Sequence, residues 1–269
     1  MTKDKFFAGV ATYKTLAKKE VGQNFLLDAA AAERIVSLAE AKEGERVLEI
    51  GCGAGSLTYF LSFGPAQAEA IDIDEAMLLK TQADFADSPY LSIHQGNAMK
   101  FDYSPYDKII GNLPYYITSG IVERVLLGAS KCQKAVFMVQ KEAAARLLAR
   151  PNTKDYGPLS IYIAIVAAGK KEFNVGRGSF APAPHVDSSV LSLTFNERHG
   201  GEAAKMYRLA CSLFLQRRKT IFNNLKNYLH DGEKAKRILE DNGISLQARP
   251  QELTPLHYWA LSHDGNLVE

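Results

Sequence analysis

The sequence is poor in cysteine and has no long apolar run. Its three cysteines, Cys52, Cys132 and Cys211, are odd in number and far apart. That argues against a disulfide framework and against a zinc knuckle, and it suits a reducing compartment. No apolar stretch approaches the roughly 20 residues of a membrane span. Residues 1–20 hold five lysines and no signal-peptide core. A cytoplasmic protein without membrane contact is therefore expected. The six histidines lack metal-ligand spacing, so no metal site is expected. Internal repeats and low-complexity segments are absent too.

What remains is ordinary for a folded protein. Of 269 residues, 46% are apolar and 23% charged, which disfavours disorder, collagen and coiled coil. The length allows one large or two modest domains. The net charge of +2 conceals an asymmetry: residues 1–20 carry +3, residues 21–110 carry −8 and residues 111–269 carry +7. Basic flanks suit a polyanion and equally suit a solvated mixed surface.

Asp28 is a fitting N-cap for a helix over 29–41. Arg46–Ile50 reads as a strand entering Gly51-Cys52-Gly53-Ala54-Gly55, with a helix over 56–63. Ala68–Asp72 is a second strand, 75–85 a helix, and Leu91–Gln95 and Asp107–Gly111 are further strands, the latter running into Asn112. Thr118 or Ser119 caps a helix to about Leu127; Lys134–Gln140 is a strand and 141–149 a helix. Strands alternating with helices predict an α/β fold with a mostly parallel sheet. The β-rich stretches Ile161–Ala168 and Ser188–Phe195 predict a closing antiparallel pair. Beyond Phe195 the strands cease: Arg198-His199-Gly200-Gly201 reads as a linker, and 202–215, 219–229, 233–241 and 255–263 as helices. The expected domains are 1–196, carrying the sheet, and 197–269, all-helical.

Two stretches carry chemistry. Glycines after Ile50 let the backbone turn sharply and let a ligand come close, while the following helix offers free N–H groups. The spacing is G-x-G-x-G with Ser56 where a dinucleotide fingerprint wants glycine, so a pyrophosphate cradle fits poorly. Asp72 ends the next strand and can hold both hydroxyls of a ribose. The second stretch, Asn112-Leu113-Pro114-Tyr115-Tyr116, lies at the predicted carboxyl end of a strand. Its amide oxygen and a nearby backbone carbonyl suit an exocyclic amino group with two N–H donors. Tyr115 offers a face on which an extruded base can stack. A capped turn with packed tyrosines is an equally good reading of that pattern alone. Cys52 reads as a small packing residue, since no histidine stands nearby in sequence to activate it.

These stretches, in order, resemble the S-adenosylmethionine-dependent rRNA adenine N6,N6-dimethyltransferases. Gly22-Gln23-Asn24-Phe25-Leu26, Glu49–Gly55, Asn112–Ile117, Phe180-x-Pro182-x-Pro184-x-Val186-Asp187-Ser188 and Gln216-Arg217-Arg218-Lys219-Thr220 all look like the family's motifs, over nearly the whole chain. The resemblance implies a Rossmann-like methyltransferase sheet with a small all-helical C-terminal domain for RNA recognition. It implies S-adenosylmethionine as cofactor, held by Asn24, Leu26, Gly51, Gly53, Asp72, Asn97 and Asn112. Asn97 stands where the family usually has Asp, and Tyr116 where Asn or His is common, so Tyr116 is given no catalytic role. Catalysis falls to Asn112, Pro114, Tyr115 and Phe180. Hydrogen bonds from both amino protons, to the Asn112 side chain and the Pro114-side carbonyl, favour a pyramidal nitrogen aimed at the methyl, chiefly a positioning effect. Tyr115 and Phe180 are expected to sandwich the base.

Arg217, Arg218 and Lys219 are expected to contact phosphates. Lys3, Lys5, Lys14, Lys18 and Lys19 form either an arm toward RNA or a solubilising tail. The run Val186–Val190 and Gln216–Thr220 look more like the branch that modifies two adjacent adenines near the 3′ end of small-subunit rRNA during ribosome assembly. The expected substrate is rRNA in a pre-assembled small subunit, met by a monomer. The alternatives are a large-subunit rRNA methyltransferase conferring macrolide resistance and a non-catalytic assembly or transcription factor of the same fold. A DNA adenine methyltransferase, usually with Pro where this chain has Leu113, and a nicotinamide oxidoreductase, disfavoured by Ser56, are further rivals.

Overall fold

The computed structural model describes residues 2–13 and 23–267. The chain divides into two compact units: residues 1–144 with 170–194, and residues 145–169 with 195–269.

The first unit follows the strand–helix alternation. Helix α1 (Lys3–Thr12) and the two-residue strand β1 (Phe25–Leu26) precede α2 (Ala29–Leu38). Then come β2 (Arg46–Ile50), α3 (Thr58–Leu61), β3 (Gln67–Asp72), α4 (Glu75–Asp84), β4 (Leu91–Gln95), β5 (Lys108–Asn112), α5 (Thr118–Gly128), β6 (Lys134–Gln140) and α6 (Lys141–Leu147). After α7 (Pro158–Val166), the strands β7 (Ala167–Val175), β8 (Phe180–Ala181) and β9 (Ser188–Phe195) complete the β structure. Asp28 caps α2 as expected, accepting the Ala31 N–H at 3.0 Å, and Asp74 caps α4, accepting that of Ala76 at 3.2 Å. The expected Thr118 or Ser119 cap is corrected, since Ile117 holds the N-cap of α5 with no side-chain cap bond.

The main sheet has seven strands in the order β4-β3-β2-β5-β6-β9-β7. The first five are parallel, and β9 runs antiparallel to β6. The inner strands β2, β5 and β6 are almost wholly apolar and buried (Val47, Leu48, Ile109, Ile110, Val136, Phe137), as a sheet covered on both faces requires. The order reverses between β2 and β5, and such a switch point opens a crevice at the carboxyl ends of the strands. Outside the sheet, β1 pairs with β8, placing Phe25 opposite Ala181 and Leu26 opposite Phe180.

Three expectations are corrected. The run Ile161–Ala168 is not a strand: Pro158–Val166 is a helix, and β7 begins only at Ala167. Pro158 sits in the first turn, and the Ser160 hydroxyl accepts the Gly157 N–H at 3.1 Å. An apolar run buried on most sides looks the same as helix or strand by periodicity. Second, residues 145–169 belong with the C-terminal helices, so the division at 196/197 misplaced them; α7 packs on α8 (Gly201–Phe214) and α11 (Pro255–Ser262). Third, Lys3 and Lys5 lie on α1, which buries Phe6, Phe7 and Val10. Phe6 meets Tyr59 at 4.8 Å and Phe85 at 5.5 Å between ring centres. Lys14, Lys18 and Lys19 lie outside the described residues.

The second unit is helical. Besides α7, α8 and α11 it holds α9 (Ile221–Leu229) and α10 (Gly232–Asp241). Its core is aromatic: Tyr162 stacks on Tyr207 at 5.1 Å, and the buried hydroxyls of Tyr156 and Tyr258 donate to the carbonyls of Leu253 (2.9 Å) and Pro250 (2.7 Å). Among the described residues no helix is long and apolar enough to cross a membrane. Nor does any group of three or more His, Cys, Asp or Glu side chains there form a metal cage.

Candidate active site

A cleft opens where β2, β3 and β5 end. Gly51, Gly53 and Gly55 turn the chain with φ of +74°, +48° and +84°, a region that glycine enters freely. A Cβ on Gly53 would touch the Phe25 ring at 3.4 Å, and one on Gly51 would face the Asn112 carbonyl at 3.6 Å. Bare backbone is thus part of the cleft wall. The β1 segment is tied over this turn: the Ser56 hydroxyl donates to the Leu26 carbonyl at 2.7 Å.

Two carboxyls shape the floor. Asp72 accepts the Gly53 N–H at 2.8 Å with one oxygen and the Asp74 N–H at 2.9 Å with the other, joining the glycine turn to the end of β3. Burial raises its pKa against these bonds. Glu49 is 1% exposed and accepts the Thr58 hydroxyl at 2.6 Å. Burial, reinforced by the Asp72 charge, pushes its pKa up to about 8. Its neighbour Cys52 is also buried, which raises its thiol pKa and makes it a poor nucleophile.

The opposite wall is the turn after β5. The Asn112 amide nitrogen donates to the Asn24 carbonyl at 3.2 Å, so the amide is orientated by β1's approach and its oxygen remains an acceptor. The Pro114 carbonyl is taken by the Thr118 hydroxyl at 2.9 Å and the Ile117 N–H at 3.3 Å. Both lone pairs of the Pro114 carbonyl are thus used to start α5, so the Pro114-side acceptor falls to the carbonyl that precedes the proline. The Leu113 carbonyl, one peptide earlier, has no partner among the described residues. The Tyr115 hydroxyl is anchored to the Ser188 hydroxyl at 2.8 Å, leaving its half-buried ring at the cleft wall.

Comparison with known proteins agrees with this geometry. The profile of the family described as "Ribosomal RNA adenine dimethylase" matches residues 14–261. The chain belongs to the ribosomal RNA adenine dimethylase family. A protein named ribosomal RNA small subunit methyltransferase A from Pseudomonas putida is 36% identical over 250 residues, covering 90% of this chain and 92% of that protein. Among solved structures, a dimethyladenosine transferase from Plasmodium falciparum superposes with a TM-score of 0.76 at 26% identity, covering 88% of this chain and 95% of that one. The 23S rRNA methyltransferase ErmE shares the fold, with a TM-score of 0.68 at 24% identity over 89% of this chain and 98% of that one.

The dimethylase is thus an S-adenosylmethionine-dependent enzyme acting on rRNA. Its cleft suits that cofactor: a glycine turn without side chains and a ribose-type carboxylate at Asp72. Asn24, Leu26, Gly51, Gly53, Asp72, Asn97, Asn112, Pro114 and Tyr115 all line this one cleft. Asn97 is exposed, and its side-chain oxygen accepts the Met99 N–H at 2.9 Å; its amide nitrogen is the end left to donate.

Phe180 is placed otherwise. Paired opposite Leu26, it is 5% exposed in the hydrophobic core and is not among the residues lining the cleft. Burial of a phenylalanine is the lower-energy choice, and the sequence held no sign against it. The basic cluster lies at residues 215–219, a turn between α8 and α9. Arg217 is half-buried and donates to the Lys154 carbonyl at 3.0 Å, whereas Arg218 and Lys219 are exposed. The buried Asn224 amide holds the turn by donating to the carbonyls of Gln216 (3.2 Å) and Thr220 (3.1 Å). Sequence reasoning missed Glu49 as a cleft residue and Asn224 as a turn clamp. Glu49 is a polar residue between the apolar Leu48 and Ile50, whereas Asn224 follows another asparagine and only its burial sets it apart.

Proposed function

We propose that the chain dimethylates N6 of two adjacent adenines near the 3′ end of small-subunit rRNA, acting as a cytoplasmic monomer on a pre-assembled small subunit during ribosome assembly. The observation that carries this reading is the orientation of Asn112. Its amide nitrogen is spent on the Asn24 carbonyl, so its oxygen is presented as an acceptor. With the unpartnered Leu113 carbonyl it offers two acceptors to the two protons of an adenine amino group. The small-subunit preference rests on the similarity to methyltransferase A proteins.

S-adenosylmethionine, when bound, supplies an electrophilic methyl group. Asn24, Leu26, Gly51, Gly53, Asp72 and Asn97 would hold it. The protein's own residues then act on the base. Asn112 and Leu113 localise the amino lone pair by accepting both N–H groups, and they place carbonyl dipoles where positive charge develops. The amino proton becomes acidic only as the new bond forms, so a general base of matched pKa is not required. Tyr115, its hydroxyl fixed by Ser188, offers a ring for the extruded adenine. Arg218 and Lys219 contact phosphates, and Arg217 braces their turn.

The test is methyl transfer from labelled S-adenosylmethionine to unmethylated small subunits, large subunits and duplex DNA, with Asn112→Ala alongside. N6,N6-dimethyladenosine in small subunits alone, abolished by Asn112→Ala, is the expected result. Label in large subunits alone would transfer the protein to the resistance branch.

A further inference from the structure

We propose that Tyr116 is a second base-stacking ring, one that holds the nucleotide beside the extruded adenine at the lip of the cleft. This rests on the reading of the cleft as an adenine N6-methyltransferase site. Tyr116 lines the cleft yet is 60% exposed, and its ring and hydroxyl have no hydrogen bond or aromatic partner among the described residues. Its neighbour Tyr115 differs on both counts, being half-buried and anchored to Ser188. Two adjacent tyrosines thus present one fixed ring at the cleft wall and one unclaimed ring on its rim.

The turn that carries the unclaimed ring is held from both sides. Pro114 restricts the backbone before it, and the Pro114 carbonyl binds Ile117 and Thr118 beyond it. Tyr116 therefore sits on a braced platform, which lowers the entropy lost when something packs on it. An exposed aromatic ring on such a platform suits a flat, apolar partner of its own size.

The rim position favours RNA over cofactor as that partner. The glycine turn, Asp72 and Ile73 lie at the ends of β2 and β3, while Tyr116 follows β5 together with the acceptors meant for the target amino group. Drawing one base out of a strand deprives its neighbour of a stacking partner. A ring beside the entrance replaces that lost contact and fixes the register of the strand. When two adjacent adenines are to be modified, the same ring would steady the one waiting outside.

The experiment compares Tyr116→Ala and Tyr116→Phe with the native chain, measuring steady-state methyl transfer to unmethylated small subunits and thermal stabilisation by S-adenosylhomocysteine. Tyr116→Ala is expected to raise KM for the subunit about 10-fold, within the range for losing one stacked base. Its stabilisation by S-adenosylhomocysteine should be unchanged. Tyr116→Phe restores the ring and with it the KM. Equal KM values for Tyr116→Ala and native protein would overturn the proposal, as would a loss of cofactor stabilisation with KM intact. A Tyr116→Phe variant as impaired as Tyr116→Ala would assign the effect to the hydroxyl and overturn it too. Native protein that labels no small subunit would instead overturn the underlying reading, and the proposal with it.

Discussion

Glu49 should make the folded state lose stability as pH rises through neutrality. Its carboxyl is buried, and its pKa moves from the ordinary 4.5 to about 8. The folded state thus holds a proton that the unfolded state releases. The protonated group's contribution is fully present below about pH 4.5 and is lost as pH climbs toward 8. A shift of that size corresponds to a ceiling of about 5 kcal/mol at 1.36 kcal/mol per unit. Glu49→Gln removes the titration while keeping an oxygen for the Thr58 hydroxyl. Urea unfolding of both proteins at a series of pH values between about 5 and 9 isolates the term as a difference. That difference should move in favour of the glutamine variant by up to roughly 1.4 kcal/mol per pH unit, levelling off above pH 8. The same group predicts that S-adenosylmethionine, being cationic, displaces protons on binding near pH 7 in the native protein and fewer in the variant. Calorimetry in buffers of different ionisation heat reads this directly. A pH-independent difference in stability would refute the assignment of a buried, protonated carboxyl.

Three further outcomes follow from the geometry. Gly111→Ala would place a Cβ 2.7 Å from the Ile50 carbonyl across the β2–β5 pairing; a stability loss of about 1–3 kcal/mol and loss of methyl transfer are expected, against which a native melting temperature would count. Asn224→Ala strips donors from the carbonyls of Gln216 and Thr220, which should cost about 1–3 kcal/mol and weaken binding to small subunits. Arg218→Ala with Lys219→Ala should leave the melting temperature unchanged and reduce the slope of log affinity against log salt by about 1.5; an unaltered slope would remove these residues from the RNA contact.

Much of the site was legible because it is local. The glycine turn after Ile50, Asp72 at the end of β3 and Asn112 at the end of β5 each stand at a strand terminus, and parallel strands bring such termini to one edge. The five ordered motifs then pointed to the family. The chemistry of the second acceptor was not legible. Pro114 and Leu113 each carry a carbonyl, and only the bonds from Thr118 and Ile117 show which one is already taken.

Burial decided the remaining cases. Phe180 suits either a stacking ring or a core residue by composition, and its pairing opposite Leu26 puts it inside. The lysines at the start of the chain suggested a solvated arm, but Phe6, Phe7 and Val10 share a buried face of α1. Pro158–Val166 is apolar enough for either secondary structure, and packing on α8 and α11 made it a helix of the second unit.

By itself, the sequence determined the succession of strands and helices in the sheet, the glycine turn and the polar residues at its carboxyl edge. Those features depend on nearest neighbours and on period. Only the tertiary structure decided which carbonyl stays free, which rings are buried and which carboxyl keeps its proton. Each of these depends on groups far apart in the chain that compete for the same hydrogen bond or the same shelter from water.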